Sequence, residues 1–178
     1  KRIEKDTFKN MDLLSTIEIS QNELEFVHRE AFKNNQPMID IKLSNNMLKE
    51  FDFIMNLSKL KTLDLQHNVI EKIQSNLFDS FKNITEINLS NNKIRSITKS
   101  CFQSTCLQQL CNLHLSDNEI ETIEPGSFDL LTRLIMLTLK NNKIKTIDSN
   151  LFNSLGSLNT LQLSENPIES FTDPMTYQ

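Results

Sequence analysis

Asparagine stands at 22, 46, 68, 92, 118, 142 and 166, each time inside one phrase: apolar-x-x-apolar-x-apolar-x-x-Asn-x-apolar. The steps between these asparagines are 24, 22, 24, 26, 24 and 24 residues. A period in this range marks a unit that cannot bury its apolar face alone, so that successive copies must stack into a solenoid. The clearest copy runs Leu60-x-x-Leu63-x-Leu65-x-x-Asn68-x-Ile70-x-x-Ile73-x-x-x-x-Phe78-x-x-Phe81. Others begin at Leu14, Met38, Ile84, Leu110, Leu134 and Leu158, while Ile3, Phe8 and Met11 fit the second half of an earlier unit.

Each part of the phrase has a physical task. The middle apolar pair, such as Leu63 and Leu65 or Leu137 and Leu139, alternates with polar residues, which is the period of a short strand with one buried face. Strands centred near 17–19, 41–43, 63–65, 87–89, 113–115, 137–139 and 161–163 are therefore expected to stack in parallel, with the first three apolar slots of every repeat buried. The chain must then turn, and buried turn backbone needs hydrogen-bond partners. An amide side chain supplies both donors and an acceptor, so Asn22, Asn46, Asn68, Asn92, Asn118, Asn142 and Asn166 are expected to form a ladder. The returning arm brings in Ile or Val and then Phe8, Phe32, Phe78, Phe102, Phe128 and Phe152, an aromatic spine. In the 22-residue step, two residues are missing after Phe51, which assigns Ile54 to the spine and Leu57 to the slot of Phe81.

Length and charge bound the rest. The 178 residues read as one domain, 1–178, of about seven repeats plus a partial N-terminal unit; opening in mid-repeat without a cap, it reads as a piece of a longer array. Net charge is −4 with dispersed lysines, against the basic stripe that nucleic-acid binding needs. No apolar run reaches membrane-spanning length, and no leader pattern stands at Lys1. No phosphate loop, nucleophile elbow or zinc motif occurs. His67 and His114 are expected on the sheet side, but two repeats apart, about 10 Å at strand spacing. The expectation is therefore no metal, no cofactor and no catalysis.

The pattern from Ile3 to Phe171 resembles the leucine-rich repeat superfamily in its 24-residue "typical" form, shared by Toll-type receptor ectodomains, Slit-like proteins, matrix proteoglycans and secreted insect immune proteins. That resemblance implies an α/β solenoid with a curved parallel sheet on the concave side and loops, 3-10 turns and short helices on the convex side. It also implies a non-catalytic recognition module, extracellular as a secreted protein or receptor ectodomain, serving innate immunity or cell-surface signalling. Its partner would be a protein ligand or co-receptor, with homo- or hetero-oligomers left open. An intracellular scaffold or adaptor with the same repeat is the alternative. Asn166-Pro167 resembles the entry to a cysteine-rich C-terminal cap, but the cap's cysteines do not follow.

Three local features stand apart from the repeat. Cys101, Cys106 and Cys111 lie in or beside the 26-residue step, where two residues are added between Phe102 and Leu107. They read as a local disulfide staple, a bulge that pairs with a partner, or small half-buried thiols; an odd count leaves one without a partner inside the segment. Asn56, Asn83 and Asn88 head glycosylation sequons. Chance supplies as many in a chain this rich in Asn, Ser and Thr, so their number carries no weight, but Asn88 points out from the concave sheet. Finally, the outward strand residues Glu18, Lys42, Asp64, Asn88, His114, Thr138 and Gln162 form the central concave column, with Lys140 in the column beside it. These, less Asn88, are the expected partner-binding residues. The surface is polar and lacks the Trp and Tyr that usually anchor hot spots.

Overall fold

The computed structural model describes residues 1–172. Seven strands build one parallel sheet: β2 (Thr16–Glu18), β4 (Asp40–Lys42), β5 (Thr62–Asp64), β6 (Glu86–Asn88), β8 (Asn112–His114), β10 (Met136–Thr138) and β12 (Thr160–Gln162). Each begins about one residue earlier than the apolar pair suggests. Their register is uninterrupted: Ile17, Ile41, Leu63, Ile87, Leu113, Leu137 and Leu161 stand side by side. One residue per repeat thus points inward from each strand, and its two neighbours point out.

After the ladder asparagine the chain runs along a flank. There β1 (Arg2–Ile3) pairs with β3 (Phe26–Val27), β7 (Ser96–Ile97) with β9 (Thr122–Ile123), and β11 (Thr146–Asp148) with β13 (Ser170–Thr172). Helix among the described residues is confined to three 3-10 turns, Asp52–Ile54, Lys99–Cys101 and Thr105–Leu107. The fold is a solenoid of about seven turns with little helix.

The core lies between sheet and convex arm. Phe32, Phe78, Phe102 and Phe128 are fully buried, and Phe78 and Phe102 stack with ring centroids 5.8 Å apart. Phe102–Phe128 and Phe128–Phe152 continue the column at 6.0 and 6.4 Å, within the range where aromatic pairs attract beyond their area burial. The short repeat keeps the column unbroken by substitution. Ile54 is fully buried in the spine slot, where Leu57 N–H donates to its carbonyl at 3.1 Å as Phe81 N–H does to Phe78. Phe53 meets Phe32 at 5.9 Å and Phe51 meets Phe78 at 6.4 Å. In the long repeat the two added residues form the turn Thr105–Leu107, where Ser104 Oγ accepts from Cys106 N–H, and Leu107 regains the buried slot.

Burial of the three strand-side slots holds from the second full repeat to the sixth and fails at the ends. Leu14, Ile19, Leu158 and Leu163 are half-buried, and Leu161 is 37% exposed. A solenoid residue is covered by the repeats on both sides of it, and these positions have a described neighbour on one side only.

Candidate functional site

The asparagines act as the spacing suggests. Asn92 Oδ1 accepts from Ile70 N–H at 3.0 Å, while its Nδ2 donates to Leu65 and Leu89 carbonyls at 3.0 and 3.1 Å. Asn46, Asn68, Asn118 and Asn142 repeat these contacts and are buried. Asn166 does so half-buried, with Oδ1 accepting from Ile144 N–H at 3.1 Å. Asn22 differs: it is exposed, and its side chain bonds only within its own turn, to Ser20 and Ile19 carbonyls.

The turn has a second component that the sequence reading missed. The residue before each ladder asparagine is left-handed: Gln21, Asn45, His67, Asn91, Asp117, Asn141 and Glu165 have φ between 52° and 59°. Asn and Asp tolerate this region better than other side chains, and they fill four of these seven positions; that enrichment was the available signal. It also corrects the placement of His67, which lies exposed in the turn and not on the strand.

Beyond the turn, the concave face is ordered by its own side chains. Lys42 Nζ lies 4.0 Å from Glu18 Oε2, and both are exposed. Asp64 Oδ1 accepts from Gln66 N–H at 3.1 Å, and Asn88 Oδ1 from Ser90 N–H at 3.1 Å. Both side chains therefore serve the bend after their strands before any ligand. His114 is half-buried between Glu86 Oε1, 4.0 Å from its Nε2, and Thr138 Oγ1, 3.5 Å from its Nδ1. Lys140 Nζ pairs with Glu165 at 3.1 Å. Gln162 is exposed on the last strand. Thr138, at 6% exposure, does not present itself as a contact residue; its neighbours on the sheet cover it. Glu18, Lys42, Glu86, His114, Lys140 and Gln162 thus form a mixed-charge strip along the sheet.

The remaining candidates scatter. Asn56 and Asn83 are exposed on the convex arms, and Asn88 is half-buried in the sheet. Cys101, Cys106 and Cys111 are not bonded to one another. Cys101 occupies a core slot and points at Ile73 O, 3.5 Å away, Cys106 Sγ is 3.0 Å from Asp79 O, and Cys111 Sγ is 3.4 Å from Gln109 O. Three different neighbourhoods hold three thiols. Among the described residues no group of three or more His, Cys, Asp or Glu could hold a metal, and no helix is long and apolar enough to cross a membrane.

The family described as BspA type leucine rich repeat region (6 copies) matches residues 1–112, and the family described as leucine rich repeat matches residues 108–168. Among curated proteins none matches. Among solved structures, a chain of the Drosophila Toll–Spätzle complex in its glycosylated form superposes with a TM-score of 0.87 at 25% identity, over 97% of this chain and 24% of its own. A leucine-rich repeat protein of Leptospira interrogans gives a TM-score of 0.76 at 25% identity, over 92% of this chain and 40% of its own. The chain therefore spans less than half the length of either structural relative.

Proposed function

The chain belongs to the leucine-rich repeat superfamily, and from that premise we propose that it is a non-catalytic recognition module of an extracellular receptor or secreted protein. It binds a protein ligand or co-receptor on the concave sheet. The observation that carries this reading is the seven-strand face itself. Its outward side chains sit on hydrogen-bonded backbone, so little conformational freedom is lost when a partner docks. Charges of both signs along the strip suit a partner of complementary pattern and favour specificity and encounter rate over tight apolar burial. The similarity to a chain of a Toll–Spätzle complex, described as a hub in development and innate immunity, supports a role in immune or cell-surface signalling.

The alternative is an intracellular scaffold or adaptor with the same repeat, in which Cys101, Cys106 and Cys111 would stay reduced. Mass spectrometry of the protein from its native source separates the two. An N-glycan at exposed Asn83 is expected for the extracellular reading, whereas an unmodified Asn83 together with three reduced cysteines selects the intracellular one. For the concave face, Lys42→Glu with Lys140→Glu in the full-length protein should weaken capture of the native ligand without changing the far-UV spectrum. Unchanged capture would move the ligand elsewhere.

A further inference from the structure

The flank ladder has a gap. Strands form there in the repeats of Asn22, Asn92, Asn118, Asn142 and Asn166, but not in those of Asn46 and Asn68. In the intact part, Glu121 N–H donates to Arg95 O at 2.9 Å and Glu124 N–H to Ile97 O at 2.9 Å. The equivalent donors of the short repeat, Lys49 and Asp52 N–H, make no bond to Glu25 O or Val27 O. The ladder also breaks between β9 and β11, where Lys145 N–H makes no bond to Glu121 O; what sets the short repeat apart is its missing pair of residues. Ile54 must reach the spine three positions after Phe51, so the chain bends inward through Asp52–Ile54 before it can run beside β3. What remains is a groove of about 520 Å³ along the open edge of β3, inside the ~300–1,000 Å³ range of ligand clefts.

The groove has a defined chemistry. Phe26, Val27, Met47 and Val69 line it, and Met47 is exposed there. Glu25, Glu50 and Asp52 stand around it against Lys49 and Arg2. Arg2 is already occupied, with its guanidinium 4.1 Å over the Phe26 ring and its Nε 2.9 Å from Glu4. Glu25 faces the amino group of Lys1 at 3.6 Å. Glu50, Asp52 and Lys49 have no ion-pair partner among the described residues, which leaves two acids against one base in the groove.

We propose that this groove is a second binding site, independent of the concave face, which takes an extended peptide segment of a partner protein. The segment adds as a strand to the open edge of β3 and places a Lys or Arg side chain between Glu50 and Asp52. An unpaired strand edge is a template for such addition, with backbone bonds giving affinity and alternate side chains giving selectivity. A lysine suits the site because its apolar stem can cover Met47 and Val69 while its ammonium reaches the acids.

The test uses the blocked peptide Ac-Thr-Val-Lys-Val-Thr-amide, titrated into the ¹⁵N-labelled chain. Saturable shifts are expected at Phe26, Val27, Lys49 and Val69. Replacing the peptide's lysine by glutamate should weaken binding by about tenfold or more, equal to ~1.4 kcal/mol, and N-methylating its two valines should abolish it. Glu50→Gln should weaken binding, and Glu50→Lys with Asp52→Lys should remove it with the fold intact by circular dichroism, while Lys140→Glu leaves it unchanged. Absence of saturable binding, shifts confined to the concave strands, or indifference to Glu50→Gln would overturn the proposal. So would equal affinity for Ac-Lys-amide, which would reduce the groove to a cation pocket without strand addition.

Discussion

A ladder asparagine is worth what its surroundings make of it. Asn92 satisfies four backbone groups in a buried turn, and removing it strands Ile70 N–H away from water. Asn92→Ala should cost about 1–3 kcal/mol per polar group left unpaired, read from the denaturation midpoint at unchanged slope. Asn22→Ala should cost far less, because water already reaches that side chain. Charge at this scale counts for less. Lys5 and Glu30 pair at 2.9 Å on the surface. The hydrogen bond from Lys5, with the charge of Lys33 nearby, holds the Glu30 carboxyl below its ordinary value, and the bond to Glu30 raises Lys5. The stabilisation is thus present above the ordinary carboxylate range and lost as pH falls through the lowered Glu30 value. It is lost again as pH rises through the raised value of Lys5. Carbon-detected titration should find Glu30 below a free glutamate, and Lys5→Ala should move it upward while Lys33 keeps part of the shift.

At the scale of the element, the convex arm shows how length changes are absorbed. The short repeat places Ile54 in the spine and lets Phe51 and Phe53 carry ring contact to both neighbours; the long one stores its extra residues in a turn. Ile54→Ala and Phe102→Ala should each destabilise strongly, about 2–5 kcal/mol for the first and 3–5 for the second. Leu161→Ala, in the inward strand slot of an uncovered repeat, should cost clearly less, because it is exposed already. Thermal unfolding of the three variants checks the order, and near-equal losses would show that burial does not grade the stack. Register and core slots were legible because one apolar phrase recurs. The groove beside β3 was not: a two-residue deletion reads as spacing, and only the arm bent through Asp52–Ile54 shows where it opens.

For the whole molecule, repeats bind their neighbours, so the faces of the first and last described repeats carry what the interior hides. Leu161 is 37% and Phe171 61% exposed, with Leu13 and Met11 exposed at the other end. Apolar surface gathered like this promotes association. The 178-residue polypeptide should therefore self-associate with rising concentration by light scattering, and Leu161→Lys with Phe171→Asp should suppress that. A monomer at every concentration would mean the ends are self-sufficient.

The period, the strand positions, the asparagine ladder and the Phe spine followed from sequence alone, because each repeat solves the same local problem with the same residue types at the same places. Tertiary structure decided which of those residues are available. Thr138 and Lys42 hold equivalent places in two repeats, yet one is buried and the other is exposed. Asp64 looks like a contact residue until its carboxylate is seen closing the bend behind it, as the Asn88 amide oxygen does one strand on. The left-handed turn accepts Gln21, His67 and Glu165 as well as Asn and Asp, so no single residue type announces it. Exposure and hydrogen-bond competition depend on what the adjacent turn of the solenoid brings near, and that is a property of the stack.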